Sequence, residues 1–176
     1  YMYTSGTVHG LTNSSTAKTT LESWYYNNLI SYQNYIDDII YCNDRSPSTS
    51  ETTSNGSGGT GTTITYYGYY IRNINKLSPT LICPTKSDAF TVDDEINGNG
   101  ALTYPIGLIT ADEGWMAGEG FGVGSIENYL NFGINLMTMT PYGYVYSTEY
   151  ALKVIQINGY NGGMLDLQYT GFGEYI

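Results

Sequence analysis

The sequence predicts an α+β domain with helices in the first half and a string of short antiparallel strands in the second. Three observations lead there. Apolar residues recur at helical spacing near the start of the chain. Short β-like segments in the last third are separated by Gly, Asn and Pro turns at meander spacing. The composition is also poor in charge, with only 12% Asp, Glu, Lys and Arg, and it carries 20 Tyr and 22 Gly. Aromatic and β-branched residues pack well on a pleated surface. At 176 residues the chain is read as a single domain, large enough for one core.

The helical signal is strongest over residues 14–30. Ala17, Leu21, Trp24, Tyr25 and Leu29 lie three and four apart and form one expected apolar stripe. Ser14 or Ser15 is the expected N-cap, its hydroxyl taking an orphan backbone N–H. Beyond it, Ile39-Ile40-Tyr41-Cys42 reads as a short strand. Residues 46–65 are almost wholly Ser, Thr, Gly and Asn. They carry too little apolar surface to offset ordering entropy, so a flexible loop within the domain is expected.

ITYYGYYIRNI, residues 64–74, reads as a strand, and a turn is expected at Pro79. AFTVDDEI, residues 89–96, is another strand candidate that ends in the turn sequence NGNG, a hairpin-type signal. A helix is expected over 111–117. The strand candidates that follow are NYLNFG, LMTMTPYGYVYS, YALKVIQINGY and GMLDLQYTGFGEYI.

Charge excludes one class of partner. Sixteen acids against six bases give a net charge of −10, which repels phosphate backbones, and no basic cluster is present. Nucleic acid is therefore not an expected partner. No apolar run approaches the roughly 20 residues of a bilayer span, so no membrane insertion by this segment is expected. The chain opens at Tyr1, which fits a mature or processed product.

Cys42 and Cys83 have 40 residues between them and match no CxxC metal or redox pattern. Two readings remain, independent buried thiols or one disulfide, and an exported setting favours the bridge. In the chain-entropy model such a bridge stabilises by roughly 4 kcal/mol.

Catalytic and metal signals are weak. Thr110-Ala-Asp-Glu113 spells a capping box, with the Thr110 hydroxyl on the N3 amide and Glu113 reaching back to the Thr110 N–H. Asp112 and Glu113 sit at the positive end of the helix dipole. Trp115 and Met116 are expected to face a core, and Gly118 to terminate the helix. Asp93 to Gly98 resembles the first half of a calcium loop. Its twelfth position is Tyr104, however, where a bidentate Glu is needed. An acidic hairpin is the better reading, and no cofactor or metal site is assigned. The single histidine, His9, has no nucleophile-elbow partner, and nothing singles out a carboxylate pair for glycoside hydrolysis.

Recognition chemistry is enriched instead. Tyr142, Tyr144, Tyr146, Tyr150 and Tyr160 lie among Gly, Asn and Ser. Tyr supplies broad amphipathic contact at low entropic cost, and small polar residues supply adaptable hydrogen bonds. The competing reading places about half of the C-terminal tyrosines in a β core with their hydroxyls at its rim.

The run YPIGLITADEGWMAGE resembles a segment of the formylglycine-generating-enzyme branch of the C-type-lectin-like superfamily, with Leu108, Thr110, Glu113 and Ala117 in matching positions. It is more similar to an uncharacterised bacterial family of C-type-lectin-like surface modules. The shared stretches are Tyr3 to Gly6 with Val8 to Asn13, Trp24-Tyr25, Tyr41 to Ser46, Pro79 to Cys83, Gly98 to Glu113, and Met137 to Pro141. The resemblance covers about the first 141 residues.

The resemblance implies a C-type-lectin-like fold on an exported protein. It also implies kinship with the variable proteins of diversity-generating retroelements, whose last third is rich in Tyr, Asn and Ser. The chain departs from the pattern in two places. Met137 replaces a usual Trp, and Gly171 to Ile176 replace a GVRPVINL strand. The EPN and WND motifs of calcium-dependent sugar binders are absent, as is the cysteine arrangement of the enzymatic branch.

The expected function is a non-catalytic extracellular or cell-surface module that binds a protein or glycan, with its contact surface in residues 125–172. The alternative is a structural subunit of an extracellular filament or pilus-like fibre, packed against copies of itself.

Overall fold

The computed structural model describes residues 15–46, 48, 65–118, 130, 133–146, 150–160 and 164–168. It is α+β, as expected. Helix α1 (Thr16–Asn28) is followed by a 3-10 helix (Ile30–Tyr35). A two-stranded antiparallel sheet pairs β1 (Tyr41–Cys42) with β3 (Ala89–Phe90). Helix α2 (Ala111–Met116) precedes the main sheet. That sheet is antiparallel with the order β2 (Thr65–Tyr66), β4 (Leu136–Tyr146), β5 (Tyr150–Ile157), β6 (Met164–Gln168). Among the described residues, no helix is long and apolar enough to cross a membrane.

Helix α1 starts where expected. Ser15 is the N-cap and its hydroxyl accepts from Lys18 N at 3.0 Å. The expected apolar stripe is only partly buried. Tyr25 is 1% exposed and stacks on Tyr104 with ring centroids 5.1 Å apart, whereas Trp24 is 51% exposed. The stripe is narrow because α1 is held through Tyr25 and through Glu22, which accepts from Thr103 N, and neighbouring residues turn about 100° away.

The 64–74 stretch overturns its expected strand. Strand β2 covers just Thr65–Tyr66, with one further bond from Tyr67 N to Tyr142 O at 3.2 Å; the chain then turns helical at Gly68 and runs on as a π-helix over Tyr70–Asn75. A strand would send Tyr69 and Arg72 to opposite faces, while helical spacing puts them on one. Tyr69 is thereby fully buried in the core, and Arg72 and Asn73 reach Asp112. The rings of Tyr66 and Tyr70, four residues apart, close to 4.4 Å.

The 89–96 strand is likewise shorter than expected, ending at Phe90. The chain still doubles back after NGNG. Asn99 N bonds to Ala89 O at 2.8 Å and Leu102 N to Thr91 O at 2.9 Å, without forming a second strand. Asp94 organises the turn by accepting from Ile96 N, Asn97 N and Asn97 Nδ2. Its oxygens thus serve the Asx-turn pattern that an acidic turn residue favours.

The core lies between α2 and the main sheet. Tyr69, Ala111, Ile155 and Ile157 are fully buried, and Ile109, Trp115, Leu130, Leu136 and Tyr142 pack around them. Met116, expected beside Trp115 on the core side, is instead 51% exposed. The segment before α2 is tied to β4 by Met139 N to Ile109 O, 3.1 Å, and Ala111 N to Thr140 Oγ1, 2.8 Å. Pro141, which has no N–H to give, stands at the register shifts of the β4–β5 ladder.

The expected flexible loop at 46–65 lies mostly outside the described residues, as do NYLNFG apart from Leu130 and Gly133, and the end of the chain after Gln168. The flanks of the loop are joined: Ser48 N donates to Tyr66 O and Gly68 N to Ser46 O, both at 2.7 Å.

Candidate functional site

Two places on the described structure bring polar and aromatic side chains from distant segments together. The first is a pocket of about 460 Å³ beside the Cys42–Cys83 disulfide. The bridge exists, with Cα atoms 5.5 Å apart, so the two-thiol reading is set aside. It joins β1 to the segment 78–83 and frames one wall of the pocket.

The pocket floor is a charge cluster built from distant segments. Helix α2 begins with the full capping box: Thr110 Oγ1 accepts from Glu113 N at 3.1 Å, and Thr110 N donates to Glu113 Oε2 at 2.7 Å. That cap fixes the first turn and with it Asp112, which is 4% exposed. Arg72 grips both Asp112 oxygens, Nε to Oδ1 at 3.0 Å and Nη2 to Oδ2 at 2.6 Å. Asn73 Nδ2 and Thr80 N also donate to Oδ1. The other edge of the guanidinium reaches Asp44 Oδ2 at 2.8 Å. Burial alone would lower the Arg72 pKa, but hydrogen bonds and charge from Asp112 and Asp44 outweigh it and raise it.

Gly107 explains part of the approach to α2. A Cβ there would lie 2.4 Å from the Tyr41 ring, which passes over the segment to donate from its hydroxyl to Pro105 O at 2.8 Å. Gly118 ends the helix as expected, with φ +104 and its N–H on Trp115 O.

The carboxylates at the pocket rim are also engaged. Asp38 accepts from the backbone N–H groups of Val92, Asp93 and Asp94. Burial pushes its pKa up, but those three donors prevail and hold it below the usual range. Asp94 is lowered as well, chiefly by the Asn97 N–H. A general acid at neutral pH needs the opposite shift. What the cluster does is hold four chain segments in register and leave negative charge at the pocket.

The second place carries the tyrosines. Tyr142 is half-buried. Its ring meets Tyr66 and Tyr70 edge-on, at 5.9 and 5.4 Å, and packs on the core. Tyr144 pairs with Leu152, and Tyr146 directly with Tyr150, in the β4–β5 ladder. Tyr160, at the turn after β5, is 60% exposed. The register thus groups Tyr144, Tyr146 and Tyr150, with Tyr142 braced behind them in sequence and Tyr160 set apart at the far end of β5.

Sequence reasoning did not find the Asp44–Arg72–Asp112 cluster, because its members lie 28 and 40 residues apart. The one available signal was a lone Arg in an aromatic run within a charge-poor chain. No protein-family model matches the chain, and neither a curated protein nor a solved structure matches it.

Proposed function

We propose that this chain is a non-catalytic extracellular binding module of C-type-lectin-like kind, presenting tyrosines of the β4–β5 region to a protein or glycan. The observation that carries this reading is the ladder register. Tyr144↔Leu152, Val145↔Ala151 and Tyr146↔Tyr150 are consecutive pairs, so three of the five tyrosines fall within three rungs. Tyrosine at that density supplies contact area with little rotamer entropy to lose. The disulfide favours an oxidising compartment over the cytosol. The lectin-like assignment rests on the motif run from Gly98 to Glu113. The test is binding of labelled chain to a glycan array and to intact cells, where saturable capture supports the reading and its absence from both counts against it.

A filament subunit is the second reading, favoured by one observation. Trp24 and Tyr26 on α1 are 51% and 57% exposed, Tyr32 and Tyr35 on the following 3-10 helix 58% and 85%, and such surfaces serve self-packing. Sedimentation velocity over a concentration series separates the two readings. Growth into long polymers favours the filament, and a small constant species favours the binder.

A further inference from the structure

An aliphatic pair stands just ahead of each half-cystine. Ile39-Ile40 precede Tyr41-Cys42, and Leu81-Ile82 precede Cys83. Both pairs line the same pocket, beside the disulfide. None of the four is buried: Ile82 is 79% exposed, Leu81 65%, Ile39 53% and Ile40 38%. Single exposed aliphatics are ordinary, whereas a grouped set rimmed by polar residues marks an interaction site.

The charge of the same pocket selects its occupant. Five carboxylates line it, from Asp38, Asp44, Asp94, Asp112 and Glu113, against one cation, Arg72. The guanidinium is already bonded to Asp44 and Asp112. Asp38 and Glu113 are held by N–H and hydroxyl donors, and Asp94 by N–H donors with Lys86 near it, so among the described residues no salt bridge neutralises these three. A basic partner suits this acidic pocket better than a second copy of the chain, which has six bases against sixteen acids to offer it.

We propose that the disulfide-framed pocket is a docking site for a protein partner that inserts a lysine or arginine side chain flanked by aliphatic residues. The cation is attracted by Asp38 and Asp94 at the rim, and the flanking residues lie against Ile39, Ile40, Leu81 and Ile82. The lowered pKa values of Asp38 and Asp94 keep the rim charged through mildly acidic conditions. The site uses none of the β4–β5 tyrosines, so it stands whether or not the binding surface proposed there is correct.

The probe is a fluorescein-labelled peptide, Leu-Ile-Lys-Ile-Leu, followed by fluorescence anisotropy, with Glu in place of Lys as the counterpart. The expected result is saturable binding of the basic peptide only, weakened at least several-fold when salt rises from about 0.05 to 0.5 M. The double variant Leu81→Ser/Ile82→Ser, at two well-exposed positions, should weaken binding about tenfold while leaving the melting temperature unchanged. No saturable binding, equal binding of the Glu peptide, or indifference to the double substitution overturns the proposal.

Discussion

Arg72 holds both carboxylate oxygens of Asp112 from a helix 40 residues earlier in the chain, at 3.0 and 2.6 Å. Because the same guanidinium also reaches Asp44, one side chain neutralises much of the charge of two buried acids. The cost of losing it follows from what remains. Arg72→Ala leaves two carboxylates with little exposure and no cation, and should destabilise by about 3–5 kcal/mol. Arg72→Lys should recover only part of that, because one ammonium cannot span the two-point contact. Urea unfolding of the three proteins checks both; a loss under about 1 kcal/mol for Arg72→Ala would contradict the role given to the cluster.

Tyr69 should make the fold sensitive to alkali. Burial raises its pKa above the ordinary 10.0, helped by nearby Asp112 and opposed by Arg72. Above pH 10 the unfolded chain has released this proton while the folded chain keeps it. The unfolded state then binds fewer protons, so stability falls as pH rises, by about 1.4 kcal/mol per unit until the folded pKa is reached. Below pH 10 the contribution is fully present. Tyr69→Phe should show a shallower alkaline slope than the parent in chemical denaturation; an identical slope would contradict the assignment.

The tyrosines named from the sequence should divide into two behaviours. Tyr142 packs on Tyr66, Tyr70 and the core, so Tyr142→Ala should cost about 3 kcal/mol. Tyr160 is exposed, and Tyr160→Ala should stay within about 0.5 kcal/mol. Thermal unfolding of the two variants decides whether Tyr142 is part of the scaffold or of the surface.

Breaking the bridge should weaken the pocket and the fold together. Cys42→Ala/Cys83→Ala removes a cross-link that closes a 41-residue separation, for an expected loss of about 2–5 kcal/mol. The midpoint of denaturant unfolding measures it, and an unchanged midpoint would show that the loop is already constrained by other contacts.

What was legible in the sequence was local. The capping box needs only Thr110 and Glu113 three residues apart, and Ser15 caps α1 by the same arithmetic. Strands β4 and β5 were legible from the Gly, Asn and Pro turns that bracket them. The helical stretch from Gly68 to Asn75 was not, because its aromatic and β-branched residues favour a strand locally. Its helical course brings Tyr69 into the core and Arg72 to Asp112, two contacts that no local pattern contains. Periodicity points Trp24 inward, but it cannot say how wide a stripe the rest of the domain covers. The acids at 93–98 looked like metal ligands because Asx-turns and calcium loops use the same residue types. Tyr104 at the twelfth position already spoke against calcium, and the Ile96 and Asn97 donors to Asp94 show the turn role directly.

The most direct test of the central claim compares the parent chain with Tyr146→Ala/Tyr150→Ala/Tyr160→Ala in binding to a glycan array and to intact cells. A binding module acting through these tyrosines predicts saturable capture of the parent and loss of at least about tenfold, equivalent to 1.4 kcal/mol, in a variant that still unfolds cooperatively. Undiminished capture of the folded variant, or no capture of the parent on either surface, would contradict it.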